Sequence, residues 1–443
     1  MSEVVRVEPW KTVKLGEVSG NLLMGEGSTA EGEGVPPRIR VRGTVRCTGY
    51  CTFIGTLEAG KFYARGGDIT VEGDLIVETE IRIDRGKLTV RGDVKAKTID
   101  VDKKVVVSKN LEAEEVKVGG SLEVEGRVEA ELVDVGGFFA AGGEVKVKKV
   151  EVGGSFRAEG NVEIEELDVG GKAVVAGGKI IDVDVGGGFE SKHSLTFEKL
   201  VVGGAAKLGE KSIGGTIDVG GSLKTESGLK FEKIDVGGAV SIAGDAEGGE
   251  INVGGILKVS GSIKFNRIDV GGKVSISETA EGDEVDVGGK ISVDRDLKLR
   301  GKLDVGGVCK VKGLLEAESI SIGGGVEAEL IRAENSIKVG GYIRTSKGTK
   351  AKKVRIGKRG EIRGPVVAEE VIVEERARVE DIYADEIVME ERARARSLHG
   401  RRIYLERGCR VLGEVEYVEA LEKEVDVEVR YGKKVEEIRK PEI

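Results

Sequence analysis

Val-Gly-Gly, or a close variant, recurs through the middle of this sequence. Its first positions are Val118, Val135, Val152, Val169, Val185, Val202, Val219, Val236, Val253, Val270, Val287, Val305, Ile322 and Val339, a spacing of 17 residues with one step of 16 and one of 18. A unit this short cannot enclose a core alone, so neighbouring units must stack. That requirement overrides the two or three domains that 443 residues would otherwise suggest. The chain is expected to be a solenoid.

One repeat, VGGSFRAEGNVEIEELD from Val152, shows how a single coil is built. Its apolar positions are Val152, Phe156, Ala158, Val162, Ile164 and Leu167. Phe156/Ala158, Val162/Ile164, and Leu167 with the next coil's Val169 are each two apart, the period of a strand with one buried face. Three strands per coil, with corners at Gly153-Gly154, near Gly160 and at Glu165-Glu166, make a triangular prism. Parallel crossovers within one sheet are almost always right-handed. The predicted fold is therefore all-β, a right-handed parallel β-helix of about 17 residues per coil and roughly 22 coils.

Longer-range order sharpens this reading. One inward position runs Phe197, Gly214, Phe231, Gly248, Phe265, Gly282, Leu299, so that each ring takes space from a neighbouring coil only ~4.8 Å away. The outward neighbour runs Lys230, Glu247, Lys264, Glu281, Lys298, Glu316, which places unlike charges directly above one another and favours a single register. Asp134, Asp168, Asp184, Asp218, Asp235, Asn252, Asp269, Asp286 and Asp304 precede the Val-Gly-Gly step. They are expected to accept hydrogen bonds from backbone amides two residues on and so to fix that corner. A calcium stack is disfavoured, because the Asp precedes the glycines and the GxD step of calcium-binding nonapeptides is missing.

The Val-Gly-Gly repeats occupy 118–341, and Arg/Glu-rich coils at a pitch of 16 continue over 353–412, as in VIVEERARVE and IVMEERARAR. Residues 38–412 are thus expected to form the solenoid. Residues 1–37, with Trp10, Pro36 and Pro37, carry no repeat and are expected as an N-terminal cap. Residues 413–443 contain two alternating runs around Tyr431-Gly432 and are expected as a C-terminal hairpin cap.

Composition narrows the function classes. Lys and Arg number 70 against 79 Asp and Glu, a net charge of −9 without the basic excess that nucleic acid would need. Glutamine is absent and Lys, Glu and Arg abound, the pattern of a thermophile. No apolar run has signal-peptide or membrane-span length, so a soluble, cytoplasmic protein is expected. Cys47, Cys51, Cys309 and Cys409 are too few for a disulfide framework; Cys47 and Cys51 are read as small apolar side chains in a rung rather than as a pair or a metal site. His193 reads as an exposed corner residue, and neither it nor His399 has a nearby catalytic partner in sequence. Gly186-Gly187-Gly188 lacks the Gly-Lys-Ser/Thr that a phosphate loop requires. Coils of such constant length leave little material for a cleft. No catalytic residue, cofactor site, metal site or small-molecule substrate is expected.

The coils GKRGEIRGPVVAEEVIVEERARVEDIYADEIVMEERARARSLHGRRIYLERGCRVLGEVE carry Gly-x-Ile/Val steps, Ala-Glu-x-Val-x-Val strands and an Arg-x-x-Gly-Glu-Val closure. Over about 340–415 this pattern resembles the bactofilins, a polymer-forming cytoskeletal family. The resemblance implies a right-handed triangular β-helix, no nucleotide, no catalysis, and self-association through the helix ends. The chain departs from that family in its many coils and in the caps expected at both ends, which would cover those surfaces. The function expected is a structural one, a stiff scaffold or filament subunit with itself or scaffold proteins as partners. The alternative is a binding module holding a carbohydrate or protein on flat faces; an exposed aromatic ladder along one face would favour it, and the sequence offers only scattered tyrosines such as Tyr63, Tyr342, Tyr383 and Tyr404.

Overall fold

Alternation of apolar and polar residues on each side of the coil produces three short parallel strands per turn. In the turn from Ser121 these are Ser121–Val124 and the two halves of Val128–Val135. The two halves are separated by Glu131, which the register skips: Ala130 pairs Val147 and Leu132 pairs Lys149. The computed structural model describes residues 3–443 and is all-β, a solenoid of about 25 turns with successive strands stacked about 17 residues apart. The chain divides into two compact units, Met1–Gly221 and Ser222–Ile443.

In the first unit the core is a set of side-chain stacks. Val116, Val133, Val150 and Leu167 lie one above another at 0–1% exposure. Phe139 and Phe156 stack with ring centroids 5.1 Å apart. Every such column puts branched apolar groups at the ~4.8 Å strand spacing, so burial and strand pairing reinforce each other.

The second unit shows the alternation of large and small residues at work. A Cβ added to Gly248 would lie 2.5 Å from the Phe231 ring, and one added to Gly282 would lie 2.3 Å from the Phe265 ring. Each ring leans into the space its neighbour leaves. The outward ladder has the expected register from Lys230 through Glu247, Lys264, Glu281 and Lys298 to Glu316, and Lys230 Nζ lies 3.1 Å from Glu247.

The Asp residues before Val-Gly-Gly do not fix the corner. Its amides are already taken by the preceding coil: Gly288 N donates to Val270 O at 3.0 Å, Gly306 N to Val287 O at 2.9 Å and Gly307 N to Gly289 O at 3.0 Å. Asp269, Asp286 and Asp304 instead face outward in a stack of like charges. Partial burial and the two flanking carboxylates push the Asp286 carboxyl above its usual range. The side-chain caps occur at the corner after the first strand, and they bridge coils. Asp93 N donates to Asp74 Oδ1 at 2.9 Å, Asn110 N to Asp93 Oδ1 at 2.9 Å, and Arg127 N to Asn110 Oδ1 at 2.9 Å.

Both expected caps prove to be further coils. Val4–Val7 pairs in parallel with Asn21–Met24, and Thr12–Leu15 with Ser28–Gly32, each at a shift of 17 residues. The one excursion is the segment through the cis Val35-Pro36 bond, bracketed by the antiparallel bridge Glu33–Arg38. At the other end Glu428–Lys434 pairs in parallel with the strand before it, Val411 with Val429 and Val415 with Gly432, so there is no hairpin at Tyr431-Gly432. Alternating residues serve a solenoid strand as well as a hairpin strand; what decides here is that the preceding coil offers an unpaired edge.

Candidate functional site

Two features stand out against the uniform coils: the terminal edges and one longitudinal groove. In the first turn, Val4–Val7, Thr12–Leu15 and Glu17–Val18 each have a strand partner within the chain on one side only. Trp10 stands beside them at 74% exposure, held at a left-handed φ of 61° with its ring against Gly27. In the last turn Glu428–Lys434 likewise pairs on one side, near the exposed Val425 and Tyr431. Open strand edges beside exposed apolar side chains are surfaces that recruit another chain.

The groove runs along the corner between the second and third strands. In the first unit its floor is Ala96, Ala113, Ala130, Val147 and Ile164, and it encloses about 840 Å³. The residues on either side of each floor position share a sign within a coil, and from coil to coil that sign runs plus, minus, minus, plus, minus: Lys95/Lys97, Glu112/Glu114, Glu129/Glu131, Lys146/Lys148, Glu163/Glu165. Ion pairs therefore run along the walls, Lys95 to Glu112 at 2.5 Å, Lys148 to Glu131 at 2.7 Å and Lys146 to Glu163 at 3.1 Å. The Glu131 carboxylate holds the Lys148 ammonium above its usual pKa. The second unit carries the equivalent groove of about 690 Å³ over Gly248, Phe265, Gly282, Leu299 and Ala317. An apolar floor between charged walls can hold an extended segment by its side chains.

The residues singled out in the sequence do not converge. Cys47 and Cys51 are buried free thiols, as are Cys309 and Cys409. Cys51 Sγ donates to Gly25 O at 3.6 Å, and burial pushes the Cys47 thiol well up. His193 is an exposed corner residue whose amide donates to Ala176 O at 2.6 Å. His399 is not exposed: it stacks on Tyr383 at 4.5 Å and its Nδ1 lies 2.9 Å from Glu416 Oε2. Tyr342, Tyr383 and Tyr404 sit on the first, second and third strands of their coils, and Tyr63 belongs to the other unit, so they build no aromatic ladder. Among the described residues no group of three His, Cys, Asp or Glu could hold a metal ion, and no helix is long and apolar enough to cross a membrane. The groove was not singled out in the sequence, although its signal, Ala between like-charged residues, is visible at 95–97, 112–114 and 129–131.

Burial alone pushes the Cys309 thiol from 9.0 to about 12. At pH 8 its thiolate fraction is then about a thousandfold below that of an ordinary thiol, and native alkylation by iodoacetamide should be slower by at least that factor. Because the folded pKa is the higher one, the stabilising effect of the neutral buried thiol is complete below pH 9 and is lost as pH rises toward 12. Stability should therefore fall by up to about 4 kcal/mol across that window, and Cys309→Val should flatten the decline. Urea unfolding at pH 8, 10 and 11.5 checks this; an unchanged slope in the variant would count against it.

No family model, no curated protein and no solved structure matches this chain.

Proposed function

We propose that this protein is a non-enzymatic structural subunit, a β-solenoid that joins copies of itself through its terminal coils into a cytoplasmic scaffold or filament. The observation that carries this reading is the pair of strand edges that find no partner among the described residues. The first-turn strands and the last-turn strand each have one unpaired edge, flanked by Trp10 at one end and by Val425 and Tyr431 at the other. A second copy adding its first coil to the last would satisfy those backbone groups in the same register that every internal coil uses. The bactofilin-like pattern over about 340–415 points the same way.

Internal coils have the regularity such a role demands. Across the Val-Gly-Gly repeats their length stays within one residue of 17, and the alternating charge ladder disfavours slipped pairings by placing like charges together. Sedimentation velocity and negative-stain electron microscopy over a hundredfold range of protein concentration should show a shift from monomer to linear polymers. Monodisperse monomer at every concentration would refute the proposal.

A further inference from the structure

The nine residues after the last strand turn back along the second unit. Val435 N donates to Tyr417 O at 2.9 Å, and Lys440 Nζ donates to Asp385 Oδ1 at 3.1 Å and to Ala368 O at 3.4 Å. Ile443 lies against Gly348, where an added Cβ would come within 2.6 Å of its Cδ1. Ile438, Pro441 and Ile443 are half-buried, whereas Glu436, Glu437, Arg439, Lys440 and Glu442 are exposed. Val367, at a position that faces outward in the other coils, is only 8% exposed beside this tail. The tail thus crosses coils along the same corner that forms the groove, with its apolar side chains inward.

The corner beneath it has a recognisable order. Its floor and wall residues are Ala351-Lys352, Ala368-Glu369, Ala384-Asp385 and Gly400-Arg401, small residues with wall charges running plus, minus, minus, plus. Four consecutive coils of the first unit repeat that order as Ala96-Lys97, Ala113-Glu114, Ala130-Glu131 and Val147-Lys148. There the opposite wall follows the same order through Lys95, Glu112, Glu129 and Lys146. Arg300, Glu318, Glu334 and Lys352 also run plus, minus, minus, plus, but their opposite wall, Lys298, Glu316, Arg332 and Lys350, breaks the pattern. Only in the first unit do both walls agree, over exposed lysines at 95, 97, 146 and 148.

We propose that the groove over Ala96, Ala113 and Ala130 is a docking site for the C-terminal tail of a second copy of this chain. The tail runs minus at Glu436-Glu437, plus at Arg439-Lys440 and minus at Glu442, the complement of plus, minus-minus, plus. Its charge groups are roughly 8–10 Å apart at ~3.3 Å per extended residue, and those of the groove roughly 7 Å apart at ~4.8 Å per coil, a mismatch that lysine and arginine side chains span. Val435, Ile438 and Pro441, each half-buried in the second unit, then meet an alanine floor. This contact lies on the side of the coils and is independent of the ends, so it joins neighbours laterally.

The test uses the full chain and a fluorescein-labelled peptide of residues 434–443 carrying a benzophenone at the Ile438 position. Anisotropy at 50 mM salt should show saturable binding that weakens at 500 mM salt, with crosslinks on residues 95–148. Glu114→Lys with Glu131→Lys should weaken binding at least ~tenfold, whereas Asp385→Lys should change it less than ~twofold. Peptides with Arg439→Glu and Lys440→Glu should bind the unaltered chain at least ~tenfold more weakly, which tests charge order without any risk of misfolding. Crosslinks confined to 350–401, loss of binding in Asp385→Lys alone, equal binding of the charge-reversed peptide, or no binding by 1 mM would each overturn the proposal. Failure here leaves the proposed polymerisation through the ends to be decided separately, by its own dependence on protein concentration.

Discussion

Gly187→Ala is expected to destabilise the first unit by about 2–4 kcal/mol, while Gly188→Ala, one residue on, should leave it unchanged or stabilise it by up to ~1 kcal/mol. An added Cβ at Gly187 would lie 2.5 Å from Gly171 O, and that same carbonyl accepts the Gly187 amide at 2.9 Å. Pushing the coils apart to admit a methyl group therefore also stretches the bond that joins them. The obstacle is backbone, so no rotamer change relieves it. At Gly188 the nearest atom to an added Cβ is Ala205 O at 3.5 Å, an ordinary contact, and the paired residue one coil back is Lys172. The substitution there removes only the extra freedom of glycine in the unfolded chain. Urea midpoints of the two variants decide the matter: similar shifts would mean that the Val-Gly-Gly glycines are kept for something other than close approach between coils.

That pair of adjacent glycines also shows what the sequence could reveal. The clock was legible because the requirement is local to one position in each coil and recurs unchanged. The Phe and Gly alternation and the Lys230-to-Glu316 ladder were legible for the same reason, since direct stacking converts sequence period into contact. The Asp residues before the glycines defy the turn preference of a single coil. Their nearby amides bond to the coil below, an interaction that no local turn preference reports.

The terminal coils escaped detection because their corners use different chemistry. In place of Gly-Gly, left-handed residues turn the chain in the coils that were expected as caps, Trp10 and Gly27 at one end and Asp426 at the other, as Gly49, Gly66, Arg85, Arg359, Arg376, Arg392 and Gly408 do in the coils next to them. A non-glycine residue in that conformation costs roughly 1–2 kcal/mol, so composition gives no hint of it. The glycines at 27, 49 and 66 were the available signal. The tail over the groove has no period at all, and its placement follows only from the folded coils it lies on.

Two end-directed variants should each abolish polymer growth, and their mixture should give a discrete product. Trp10→Asp with Val4→Lys places charge on the first-turn edge, where Trp10 is 74% and Val4 47% exposed. Val425→Asp with Tyr431→Lys does the same at the last turn, where these residues are 67% and 64% exposed. Charges on an open edge are how natural sheets avoid edge-to-edge pairing. Burying one aromatic ring at a joint is worth about 3 kcal/mol, so removing it and adding charge should raise the concentration needed for assembly by at least a hundredfold. None of these side chains belongs to the buried core, so the monomer should remain folded, with an unchanged far-ultraviolet spectrum. The two variants are complementary if copies join first turn to last turn. A chain blocked at its first turn still offers a native last turn, and a chain blocked at its last turn still offers a native first turn. Mixed in equal amounts they can make one joint and no second one, so sedimentation should show a heterodimer and nothing longer. Polymers in either variant alone would show that the ends are not the joints. A mixture that stays monomeric while the unaltered chain polymerises would show that first turn does not meet last turn, and would leave like-with-like contact between ends as the remaining geometry.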